Sequence, residues 1–112
     1  MTIQSPENSA GYDELVARAY ELMAVFARHD PKTWPISAKA LDLESHTGKV
    51  AQAALEKEGY KPTHAAVDGL GVELATLFFI CLDLARDFGL NFKGEFSKFL
   101  VDSEQKLKKG GV

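Results

Sequence analysis

The stretch from Leu70 to Ala85 constrains the fold more than any other part of the chain. Leu70, Val72, Leu74, Leu77, Phe78, Phe79, Ile80, Cys81, Leu82 and Leu84 make it apolar around most of a helical circumference. A helix of that kind in water must be covered on several sides. Its most apolar part, Leu74 to Leu82, is about half the length a membrane span needs, so the cover has to be protein. A chain of 112 residues is expected to form one domain over 1–112, with residues 1–9 and 108–112 frayed. So few residues cannot surround such a helix unaided, and a second subunit, in a dimer or tetramer, is expected to complete the packing.

The remaining segments also read as helices, and none shows the alternation of a strand. Leu15, Ala19, Leu22, Met23 and Phe26 form one apolar stripe, which Asp30-Pro31 ends because a residue before proline is pushed out of the helical region. The start of this helix is open between Ser5-Pro6-Glu7 and Ser9. Ser37 is the expected cap of a second helix running to about Lys57, stopped by Gly59 and rich in small residues that let a neighbour approach. Pro62-Thr63 is expected to open the third helix, which reaches about Phe88 before Gly89. Asn91 caps a fourth that carries Phe92, Phe96, Phe99, Leu100 and Leu107 on one side. The predicted fold class is all-α, a four-helix bundle with short connections.

Charge and cysteine usage narrow the function. Thirteen basic residues against sixteen acidic ones leave a net charge of −3. That balance argues against a general grip on nucleic acid or on an anionic membrane. A single cysteine, Cys81, excludes an internal disulfide framework and multi-cysteine zinc sites, and it reads as an inert core residue. The N-terminal residues lack the basic and apolar regions of a signal peptide, so a cytoplasmic location is expected.

One thin polar line interrupts the greasy third helix: Glu73, Thr76, Asp83 and Asp87. Glu73 and Thr76 are three apart and share a face, as do His46 and Lys49 on the second helix. Facing helices that each present such a pair are how bundles build interior sites. Four carboxylates there would hold Mg²⁺, a hard cation that selects oxygen ligands, but only Glu73 is one. His46 and Lys49 read equally as a solvated face, and Thr76 as a hydroxyl bonded to the preceding turn. Asp83 reads as an extra site carboxylate or as half of a salt bridge. A buried Glu73 would need a partner, since an unpaired buried charge costs several kcal/mol. Lys49 is the expected counter-ion, occupying the place of the metal.

Trp34, the block Lys39 to Ala54 (KALDLESHTGKVAQAA) and the block Val72 to Phe92 (VELATLFFICLDLARDFGLNF) together resemble the MazG-like all-α nucleoside triphosphate pyrophosphohydrolases. Gly48, Leu84-Ala85 and Gly89-Leu90 match the family pattern. The family's two metal-binding pairs fall on His46 and Lys49, and on Glu73 and Thr76, so that only Glu73 matches and remains as a remnant metal ligand. The resemblance implies a nucleotide contact at Trp34 and Lys39. In the family, carboxylate-held Mg²⁺ supports attack of water between the α and β phosphates, neutralising phosphate charge and activating the water.

Three functional readings follow. The first is a MazG-like homologue with lost or much reduced Mg²⁺-dependent hydrolysis, acting as a nucleotide-binding or interaction module without a cofactor. The second is an active, atypical pyrophosphohydrolase that uses Mg²⁺, with ligands from Glu73, Asp83 and, one turn out of register, Asp42 or Glu44. The third is a purely structural helical oligomerisation protein. No residue is assigned a catalytic role.

Overall fold

Local chemistry sets where the helices begin and end. The computed structural model describes residues 11–63 and 67–110, and these form α1 (Tyr12–His29), α2 (Ile36–Lys57), α3 (Leu70–Asp87) and α4 (Phe92–Lys108), with no strand among them. α1 starts after Gly11, so the Ser5 and Ser9 signals lie outside the described residues. It ends at Asp30, which is extended (φ −69°, ψ 138°) ahead of Pro31, as a residue before proline must be.

α2 and α3 close in the same way. Gly59 (φ 84°) and Gly89 (φ 68°) take up the left-handed conformation that other residues resist. The following amides, Tyr60 and Leu90, then donate back to the carbonyls of Leu55 and Ala85 at 2.9 and 2.8 Å, the paired-bond ending of a Schellman motif. At the start of α4 the Asn91 side chain accepts from the Gly94 amide at 3.1 Å, as expected.

Two starts differ from the expectation. α2 begins at Ile36 with Pro35 at the cap position, so Ser37 lies inside the first turn and caps nothing. The Pro35 carbonyl receives the Ala38 and Lys39 amides instead, at 3.0 and 3.3 Å. α3 begins at Leu70, well after Pro62-Thr63. Gly69, extended at the cap position (φ −60°, ψ 156°), weakens helix formation just ahead of Leu70. The Glu73 carboxylate takes the Asp68 amide at 3.0 Å, which fixes the start of α3 there.

α2 and α3 form the central packed pair. Among the described residues the buried apolar ones are Met23, Ala53, Ile80, Leu82 and Ala85, and the alanines from facing helices allow the close approach that small residues permit. α1 lies against α3, with the Phe26 ring meeting Phe79 edge-on at 6.2 Å and Arg86 over the Tyr20 ring at 4.8 Å. α4 touches α3 at its beginning, where Phe78 and Phe92 are 5.9 Å apart, and Lys93 reaches Asp13 of α1 at 3.3 Å. Beyond Phe92 every residue of α4 is exposed, and the helix includes Lys108. Among the described residues no helix is long and apolar enough to cross a membrane.

Candidate functional site

A cleft of about 370 Å³ opens where α1, the connection after it, α2 and α3 meet. Met23, Phe26 and Ala27 of α1 and Phe79 and Ile80 of α3 supply its apolar walls. Asp30, Thr33 and Trp34 form the rim contributed by the connection. Lys39, Asp42 and His46 project from α2, and Thr76 and Asp83 from α3. The spacing explains the selection: 39, 42 and 46 are offset by three and four, as are 76, 79, 80 and 83, so each set lies on one helical face.

Trp34, Lys39, His46, Thr76 and Asp83 were all singled out in the sequence, and one cleft holds all five. Lys39 bridges α2 to α3, its ammonium donating to Asp83 at 3.1 Å and to Asp87 at 2.7 Å. Burial works against the charged lysine. The hydrogen bonds to Asp87 and Asp83, with the negative charges of both, outweigh it and hold the Lys39 pKa above its ordinary value. Asp83 is therefore half of a salt bridge. The Thr76 hydroxyl donates to the Val72 carbonyl at 2.9 Å, one turn back on its own helix.

Glu73 sits behind the cleft and is 2 % exposed. Its Oε2 accepts the Asp68 amide at 3.0 Å, and its Oε1 lies 3.5 Å from Nδ1 of His46. On the other side of the same ring, Nε2 is 3.6 Å from Asp42. The contacts to His46 are long for hydrogen bonds, whereas the amide bond is of ordinary length. Glu73 also lies in the first turn of α3, where the helix dipole favours a negative charge. No buried side-chain nitrogen or oxygen among the described residues lacks a partner.

The expected pairing of Lys49 with Glu73 is corrected by this geometry. The Asp68 amide draws the carboxylate toward the start of α3, where His46 meets it. Lys49 does not line the cleft and makes no ion pair or hydrogen bond among the described residues. Of the two alternative carboxylates, Asp42 faces the cleft and Glu44 is exposed elsewhere.

Magnesium does not fit this donor set. Among the described residues no three His, Cys, Asp or Glu side chains converge closely enough to hold a metal ion. Glu73 has one oxygen committed to a backbone amide, and its neighbour is an imidazole, a softer ligand than Mg²⁺ selects.

Sequence reasoning missed Phe26, Phe79 and Met23 as cleft walls and Asp68 as the amide that holds Glu73. The apolar residues carry no signal that separates lining from core. Asp87 was legible, being four residues after Asp83 on the same polar line. Cys81 is half-buried, and burial pushes its thiol pKa up, which suits an unreactive packing residue. No family model, no curated protein and no solved structure matches the chain.

Proposed function

We propose that the chain is a MazG-like nucleotide pyrophosphohydrolase homologue in which Mg²⁺-dependent hydrolysis is lost or much reduced and nucleotide binding persists. One observation carries the reading: residues from three separate segments, picked out by the resemblance or by the polar line, line the same cleft. The aromatic walls at Trp34, Phe26 and Phe79 suit the faces of a nucleobase. Asp42 and Asp83 are acceptors for its amino groups. The chemistry that hydrolysis needs is not supported. Asp30, Asp42 and Asp83 line the cleft beside a single ammonium, Lys39, which is already held by two carboxylates. A triphosphate would meet repulsion there unless a metal screened it, and the donors do not converge on one.

The active alternative keeps one point in its favour, the two carboxylates Asp42 and Asp83 in the cleft. A panel of NTPs and dNTPs with Mg²⁺ or Mn²⁺ separates the readings, with no pyrophosphate release expected. Binding is read without metal by two signals, using a nucleoside monophosphate in place of the triphosphate that the cleft repels. Trp34 is the only tryptophan and stands at the rim, so its fluorescence should be quenched by a stacked base. Melting should shift upward as well, since a ligand at 100 times its Kd adds about 2.7 kcal/mol to folding stability. Brisk turnover moves the assignment to the active enzyme. Neither quenching nor a shift at millimolar nucleotide removes the nucleotide site.

A further inference from the structure

The chain leaves a continuous apolar strip uncovered. On one side of α3, Leu74 and Phe78, four residues apart and so on one helical face, are 50 and 47 % exposed. Phe78 touches Phe92 at 5.9 Å, and the strip passes from there onto α4. Phe96 and Phe99 continue it, 54 and 62 % exposed, with their rings stacked at 6.3 Å. Scattered exposed apolar residues need no explanation, but a contiguous patch of this kind marks an interaction surface.

We infer that this α3–α4 strip is a homodimer interface, in which the α4 helices of two copies pair antiparallel about a two-fold axis. Charge selects a second copy over other occupants. α4 carries Lys93, Lys98, Lys106 and Lys108 against Glu95, Asp102 and Glu104, a near balance that suits neither an anionic lipid surface nor a strongly charged partner. Glu95 and Lys106 are eleven residues apart, about three helical turns, so both border the apolar stripe on the same edge near opposite ends. Antiparallel pairing sets one copy's Glu95 beside the other's Lys106, and two-fold symmetry makes that contact twice. Parallel pairing would carry Glu95 and Lys106 to opposite sides of the interface from their copies and leave this complementarity unused. The inference is independent of the nucleotide reading, because none of these residues lines the cleft.

Sedimentation equilibrium of the full chain tests it. At about 20 μM the expected mass is twice 12.3 kDa. Phe99→Glu should weaken association at least tenfold and shift the mass toward the monomer. Gln105→Glu, the same charge change on the opposite face of α4, should leave the dimer intact. Both side chains are exposed in the single chain, so neither substitution should abolish helicity by circular dichroism. The register is tested by charge exchange: Glu95→Lys weakens the dimer, and Glu95→Lys with Lys106→Glu restores it. A monomeric unmodified chain at 100 μM, an unchanged mass for Phe99→Glu, or no rescue by the exchanged pair each overturns the proposal.

Discussion

A side chain with polar oxygens that is 2 % exposed needs hydrogen-bond partners, and Glu73 finds one in the backbone amide of Asp68, just ahead of the first turn of its own helix. Its role in the fold is to start α3. Glu73→Ala should therefore cost about 1–3 kcal/mol in urea unfolding, the penalty of leaving the Asp68 amide unpaired and the cap undone. Glu73→Gln, which keeps an acceptor oxygen, should cost less. Lys49→Met should stay within about 0.5 kcal/mol, because Lys49 is no counter-ion. Gly48 gives the opposite sign. It lies within α2, is exposed, and a Cβ built there meets nothing within 4 Å. Gly48→Ala should raise stability by about 0.5–1 kcal/mol through lost freedom in the unfolded chain. A destabilised Gly48→Ala would mean that something outside the single chain occupies that surface.

Between elements, the joint most open to a pH test is Lys39 between Asp83 and Asp87. Its pKa is raised in the folded state, so the folded chain holds the proton more tightly than the unfolded chain does. The stabilisation is fully present below the unfolded lysine pKa and is lost as pH rises through the folded value. Lys39→Met should cost about 1 kcal/mol at neutral pH, a modest figure because the three side chains are 22–24 % exposed. The gap to the unmodified chain should close at strongly alkaline pH. Equal gaps at pH 7 and above pH 11 would contradict the assignment.

The same joint shows how far the sequence could be read. The positions 39, 83 and 87 were visible as polar residues in apolar helices, and the helix ends at Asp30, Gly59, Gly89 and Asn91 followed from local chemistry. The start of α3 was not legible, because a long-range choice made it: a side chain one turn into the helix captures an amide upstream. Nor was the choice of His46 over Lys49 as the neighbour of Glu73. Both share a face of α2, and only the direction taken by the carboxylate decides between them.

At the scale of the molecule, the question is how a chain whose described residues include five buried apolar side chains stays folded. Hydrophobic burial has to offset a conformational entropy cost of about 1–2 kcal/mol for each ordered backbone residue. α4 contributes little to that balance within one chain, since it meets α3 only at its beginning and is exposed beyond Phe92. Its apolar stripe can stabilise the fold only by burial against something else. If that is a second copy, folding and association are one equilibrium and stability depends on protein concentration. The melting temperature should then rise by several degrees between 1 and 100 μM for the unmodified chain. For Phe99→Glu it should be lower and flat over the same range. A surface substitution on a monomer would shift stability by no more than about 0.5 kcal/mol, so the size of the effect and its loss of concentration dependence together distinguish the two cases. Scanning calorimetry over that range makes the measurement, and a melting temperature that does not move with concentration would leave α4 without a stabilising role.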